Sequence, residues 1–335
     1  MPTVSEIKQY LGGQIFGKPF VPKVDLSDKT FVITGANTGL GLECAKHLAN
    51  LNAAKIILGC RDVAKGQAAK ESILNSTNSR TTEVEVWHVE LGDFKAVLAF
   101  GGRLSSLPRL DGFIANAGIE TVTFEKAEGY EKSLTVNVIS PFLLAVLALP
   151  MLKETAKTTG HHTNLVAVGS MQHVFAPSGQ LTVSEHQSIC EALSDPSTAD
   201  MMGRYELTKL MEQLWERELA KRIAVGSKHG DMQVVVNCVN PGWCATELSR
   251  YYDKGRIVGF IFSLIGRTAE SGSRTLVHAV TAGKETHGQY LSECQVKTEG
   301  SYIRSLQGQQ AQKKLWEELS DKIESLSPGA MTAVN

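Results

Sequence analysis

The sequence predicts an α/β fold: a Rossmann-type, doubly wound, mostly parallel seven-stranded sheet with helices on both faces. Three observations lead there. Short apolar or β-branched runs recur along the chain, each separated from the next by a helix-length segment, and such alternation requires a parallel sheet. The first run ends in a glycine cluster, Gly35, Gly39 and Gly41, that opens directly into a helix. With 335 residues, 42% of them hydrophobic and 21% charged, the chain can bury the two apolar layers that such a sheet needs.

Taken in order, strands are expected at Thr30–Thr34, Lys55–Gly59, Glu83–His88, Leu110–Ala115, Asn164–Val168 and Gln233–Val239, with a short closing strand at Gly288–Leu291. Helices are expected at Gly39–Leu51, Asp62–Asn75, Asp93–Leu104, Gly129–Leu152, Gly203–Ala224, Thr268–Ala282 and Gln309–Leu326. One domain then spans 29–326. Residues 1–28 read as an extended arm, because Pro19, Pro22 and scattered Gly and Lys break any period, and 327–335 as a tail. Segments 171–202 and 247–267 are too long for simple connections and read as lids over a substrate.

Composition excludes several classes of function. A formal net charge of -1 offers no electrostatic reason to bind nucleic acid or an anionic membrane. Six scattered cysteines without a Cys-x-x-Cys pair read as reduced thiols, and Cys238 and Cys244, six apart, lack the neighbours that a zinc site needs. No secretory h-region opens the chain, and the most apolar stretches, Pro141–Leu152 and Ile257–Ile265, are too short to span a bilayer. A cytoplasmic protein without metal or transmembrane segment is expected.

The glycine cluster carries the first chemistry. Glycines there let main chain approach a pyrophosphate, whose charge is held by the free N–H groups of the helix start. The spacing in Thr34-Gly35-Ala36-Asn37-Thr38-Gly39-Leu40-Gly41 resembles the short-chain dehydrogenase/reductase superfamily, and the resemblance runs from Lys29 to Leu326. It is nearest in look to retinol-dehydrogenase-like members and to fungal secondary-metabolism reductases. Several roles are implied by it. Glu90 and Leu91 stand where the family contacts adenine, and Asn116, Ala117 and Gly118 lie against the adenosine ribose. Pro241 and Gly242 bring main chain to the nicotinamide amide, with Cys244 and Thr246 beside them. The resemblance also implies homodimer contacts through helices Gly129–Leu152 and Gly203–Ala224; the alternative is that the long lid and the C-terminal helix block or replace them.

After the second strand, where relatives that prefer NAD carry an acidic residue, this chain has Arg61. A guanidinium suits a 2′-phosphate better than a diol, which favours NADP(H); the alternative is a surface arginine paired with Asp62. At the other end of the site, Tyr205 and Lys209 lie four apart on one helix face. A free phenol has a pKa of about 10, so acid–base work near neutrality needs a nearby cation. Ser170 follows a strand and can donate a hydrogen bond to a carbonyl oxygen that becomes negative. The resemblance completes a catalytic set with Asn137. Pro141 lacks the N–H that would bond the Asn137 carbonyl, so a water that leads to Lys209 is expected there; the alternative is a proline kink that only fits the helix to its neighbours.

The expected function is an NADP(H)-dependent ketone reductase or alcohol dehydrogenase acting on a bulky apolar small molecule, polyketide-like by family analogy. The alternatives are a non-redox dehydratase, isomerase or cyclase with the cofactor as spectator, and a silent nucleotide-binding scaffold. His173 and His186, in the first lid, read as surface residues. Tyr251, Tyr252, Phe260 and Phe262, in the second, would meet substrate or a membrane surface.

Overall fold

A computed structural model describes residues 2–77, 81–184, 186–226, 233–246, 248 and 265–334. The aromatic residues Tyr251, Tyr252, Phe260 and Phe262 therefore lie outside the described residues, as does most of the second expected lid.

Strands β1 (Thr30–Thr34), β2 (Lys55–Cys60), β3 (Glu83–His88) and β4 (Gly112–Ala115) alternate with helices α2 (Gly39–Asn50), α3 (Val63–Ser76) and α4 (Phe94–Leu104), all preceded by α1 (Val4–Phe16). A two-stranded hairpin, β5 (Lys126–Ala127) and β6 (Tyr130–Glu131), leads into one 28-residue helix, α5 (Lys132–Thr159). Then follow β7 (Thr163–Val168), α6 (Arg204–Gly226), β8 (Val234–Asn240), α7 (Ala269–Val280), β9 (Tyr290–Ser292), β10 (Gln295–Val296) and α8 (Leu306–Leu326).

The main sheet runs β10-β9-β8-β7-β4-β1-β2-β3, parallel throughout except that β10 pairs antiparallel with β9. Among the described residues it has eight strands, one more than the sequence predicts. The extra strand follows a turn in which Glu293 and Cys294 both take positive φ, 51° and 58°. Such a turn usually announces itself with Asn-Gly, and Glu-Cys gives no such signal. Strand order reverses between β1 and β4, where a crevice opens above the carboxyl ends.

Each face of the sheet carries its own core. On one face, Cys44, Ala45 and Leu48 of α2, Ile73 of α3 and Leu276 and Val277 of α7 pack on alternate residues of the central strands. On the other, α4, α5, α6 and α8 meet, and Phe142 sits between Trp215 and Trp316 with ring centroids 5.4 and 5.2 Å away. Helix α5 is long and apolar enough to cross a membrane, unlike the shorter run expected from sequence, but 83% of its apolar window is buried inside the protein. It begins at Lys132 rather than Gly129 because residues 126–131 are spent on the hairpin, where Gly129 has φ 88°.

The N-terminal segment is not the extended arm that its glycines and prolines suggest. Thr3 and Glu6 form a capping box at the start of α1, and the helix tolerates Gly12 and Gly13 because its inner side is anchored to the domain. The segment 171–202, expected to serve as a lid, folds into short helical turns at Met171–Phe175, Ser178–Leu181 and Ile189–Ala192.

Candidate active site

A cleft of about 880 Å3 lies along the carboxyl ends of β1, β2, β4, β7 and β8. Of the residues expected to bind or react, Gly35, Asn37, Thr38, Gly39, Leu40, Arg61, Glu90, Leu91, Asn116, Ala117, Gly118, Ser170, Tyr205, Lys209, Pro241, Gly242, Cys244 and Thr246 line it. Gly41 and Asn137 are buried behind its wall.

At the glycine end, Gly35 has φ 67° and leaves β1 toward α2. A Cβ on Gly41 would stand 2.6 Å from the Gly35 carbonyl, so only glycine lets the helix start this close to the strand. Thr38, the N-cap, makes no side-chain cap bond, and the first N–H groups of α2 face the cleft uncapped by it. The Thr34 hydroxyl accepts from the main-chain N–H groups of Asn116 and Ala117, while the Asn116 amide donates to the carbonyls of Thr34 and Gly35. Asn116 thus locks the two strand ends together. Thr246 lies over the start of α2, its methyl 3.6 Å from where a Gly39 Cβ would be.

At the far end Arg61, Asp62, Lys65 and Glu90 share the cleft wall. The Arg61 guanidinium is 3.6 Å from the Glu90 carboxylate and largely exposed, while Asp62 caps α3 by accepting from Lys65 N–H. Asp62 is therefore occupied with its helix, and Arg61 pairs with Glu90 rather than with Asp62, the partner in the alternative reading of the sequence.

The end expected to carry the reaction is built on α6. Tyr205 is 9% exposed, and the Lys209 ammonium stands 5.8 Å from its ring centroid. Burial pushes the phenol up to about 12, and the Lys209 charge works against that shift. Lys209 donates to the Val168 carbonyl at 2.7 Å and to the Glu212 carboxylate at 2.6 Å. Burial, the largest single influence, lowers the Lys209 pKa, but the Glu212 and Tyr205 charges and the hydrogen bond to Glu212 together outweigh it and hold the ammonium above its ordinary value. Glu212 is absent from the expected set, because a glutamate three residues past a helical lysine reads as a surface pair.

Ser170 begins the turn Met171–Phe175, and its hydroxyl accepts from Gln172 N–H. His173, expected at the surface, is 4% exposed. Its Nε2 accepts from Gly300 N–H, which leaves the proton on Nδ1 to donate to the Ser170 carbonyl at 2.8 Å. Burial lowers its pKa to about 4, so the ring is neutral. Asn240, which opens the Asn240-Pro241-Gly242 signature but carries no expected role of its own, accepts through Oδ1 from the N–H groups of Met171 and Gly242 and so joins the serine turn to the Pro241-Gly242 turn. Asn137 exchanges two hydrogen bonds with the main chain of Ile119 and donates a third to Thr208. Its side chain is spent on positioning. Among the described residues no group of three His, Cys, Asp or Glu side chains could hold a metal.

The close glycine approach at one end of the cleft and Arg61 with Lys65 at the other suit a dinucleotide. Comparison with known proteins agrees. Residues 29–182 match the family model described as short chain dehydrogenase. The chain is 38% identical over 325 residues to the short chain dehydrogenase/reductase dmxR8 of Cryptosporiopsis sp., covering 96% of this chain and 98% of that one. It is 36% identical over 326 residues to the short-chain dehydrogenase anuD of Penicillium roqueforti, covering 96% of this chain and 84% of that one. Among solved structures, the Pseudomonas aeruginosa RhlG/NADP active-site complex aligns with a TM-score of 0.59 at 19% identity over 84% of this chain and 99% of that one. A Sphingobium yanoikuyae short-chain dehydrogenase in complex with NADPH aligns at 0.53 and 20% identity over 73% of this chain and 82% of that one. The chain belongs to the short-chain dehydrogenase/reductase superfamily, an oxidoreductase family, and has its Rossmann-type fold.

Proposed function

We propose that this protein is an NADP(H)-dependent oxidoreductase that reduces a ketone of a bulky, largely apolar small molecule, or oxidises the matching secondary alcohol, in fungal secondary metabolism. The reading is supported by one observation above others: the glycine turn, Ser170, Tyr205 and Lys209 line a single cleft. When bound, the nicotinamide supplies or accepts the hydride and, oxidised, brings a second positive charge. The chain's own residues do the rest. Ser170 donates a hydrogen bond to the substrate oxygen as charge builds on it. Tyr205 gives its phenolic proton to that oxygen in reduction and takes it back in oxidation. Lys209 lowers the proton affinity of Tyr205 and offers donors to the ribose hydroxyls. Asn137 positions this end through Ile119 and Thr208.

For the phosphate end, Arg61 and Lys65 are the two cations lining the cleft beyond β2, and we assign them to a 2′-phosphate. Ile119, Val136, Trp243 and Leu248 give the substrate side its apolar character. Tyr205→Phe is expected to lower kcat by about 10³-fold while NADPH still binds. Unchanged turnover would refute the role of Tyr205. Product formation without stoichiometric NADPH consumption would favour the dehydratase or isomerase chemistry instead.

A further inference from the structure

Helix α1 lies before the segment matched by the family model, yet its one buried residue, Gln14, is hydrogen-bonded to the Pro241–Thr246 turn. The Gln14 Oε1 accepts from Trp243 N–H at 2.8 Å, and its Nε2 donates to the Trp243 carbonyl at 3.2 Å and the Ile265 carbonyl at 2.7 Å. A side-chain amide that takes both main-chain groups of one residue imitates a neighbouring strand. On its other side Trp243 is paired with main chain as well: its carbonyl accepts from Arg267 N–H, and Ala245 N–H donates to the Arg267 carbonyl.

The fit is close. Gly242 takes φ 81°, and a Cβ there would lie 2.8 Å from Gln14 Oε1 and closer still to the Arg267 guanidinium. Arg267 ties the same parts together, donating to the Pro241 carbonyl and to the Gly13 carbonyl of α1. The ring of Tyr10 meets Trp243 edge-on at 6.1 Å. A second tether runs from α1 to the serine turn: Glu6 accepts from Ser301 N–H, and the adjoining Gly300 N–H is the partner of His173, which holds the Ser170 carbonyl.

We infer that α1 is a working part of the cofactor site, with Gln14 the positioning residue that holds Trp243, and through it the Pro241–Thr246 turn, in the shape that receives the nicotinamide. The inference rests on the reading of that turn as a cofactor contact. Removing the Gln14 amide takes this partner from the Trp243 N–H and from the half-buried Trp243 and Ile265 carbonyls, of which the first keeps the Arg267 N–H, and the turn relaxes to find others.

Gln14→Met, close in volume and without hydrogen-bonding atoms, tests this in the full-length chain, with Ile15→Ala on the exposed side of α1 as control. The dissociation constant of NADPH is expected to rise about tenfold in Gln14→Met, with no change in Ile15→Ala. In the nucleotide-free protein, amide hydrogen exchange at Gly242 and Trp243 is expected to quicken in Gln14→Met alone. Native binding with an unchanged dissociation constant in Gln14→Met, or unchanged exchange at Trp243, overturns the inference and leaves the cofactor reading standing. A native chain that binds neither NADPH nor NADH removes the cofactor reading and this inference with it.

Discussion

Glu216 sits two helical turns beyond Lys209 on α6, 1% exposed, with one carboxylate oxygen that has no hydrogen-bond partner. Burial pushes its pKa up to about 8; Arg217 opposes the shift, and Glu299 and Glu212 add to it. Between the ordinary glutamate value and about 8, the folded protein carries a proton here that the unfolded chain does not. Stability therefore falls as pH rises through that window, by about 1.4 kcal/mol per pH unit. Glu216→Gln is expected to remove that slope, so that its melting temperature exceeds the native one by more at pH 9 than at pH 6. Thermal denaturation at the two values checks this. Neither Glu212 nor Glu216 was legible as a buried acid. α6 is covered on most of its circumference, so its charged residues follow no apolar stripe that could mark which of them point inward. Tyr205 and Lys209 were legible because their chemistry depends on a fixed spacing on one helix, which sequence records directly.

In α5 the irregular backbone surrounds Asn137. Residues Thr135–Ile139 form a π-helical turn, and Ser140 N–H reaches back to the Thr135 carbonyl. Pro141 follows, with no N–H to offer the Asn137 carbonyl. The sequence indicated an opened turn from the proline alone; the π-helical form adds the widening that a missing i to i−4 bond permits. Pro141→Ala restores the donor and is expected to close the turn. If a water bound there passes protons toward Lys209, kcat falls about tenfold with an altered solvent isotope effect and an unchanged NADPH dissociation constant. Steady-state kinetics in H2O and D2O decide it, and an unchanged isotope effect rejects the relay. Helix α1 was the element hidden from sequence reading. Its capping box, Thr3 with Glu6, was present in plain letters, but Gly12, Gly13 and Gly17 masked the period behind it. The helix is held by tertiary bonds from Gln14 and Gly13, which no local pattern encodes.

Taken whole, the molecule places its cleft at the reversal of strand order between β1 and β4, and ligand binding there should stabilise the entire sheet. NADPH at about a hundred times its dissociation constant is expected to add about 2.7 kcal/mol to the unfolding free energy. If Arg61 and Lys65 receive a 2′-phosphate, NADH at equal concentration raises the melting temperature less. Equal shifts from the two nucleotides would reject that assignment. The central strands and the cleft were readable because each strand is a short apolar run ending in a residue with a distinct chemical task. The sheet's β10 edge was not, since it depends on the turn at Glu293 and Cys294. One consequence reaches back to the chain's synthesis. Phe142 and its apolar helix leave the ribosome before Trp215 and Trp316, the two indoles that enclose Phe142, have been translated. During that interval the nascent polypeptide carries a greasy stretch as long as a bilayer is thick, open to aggregation until the carboxyl-terminal third arrives.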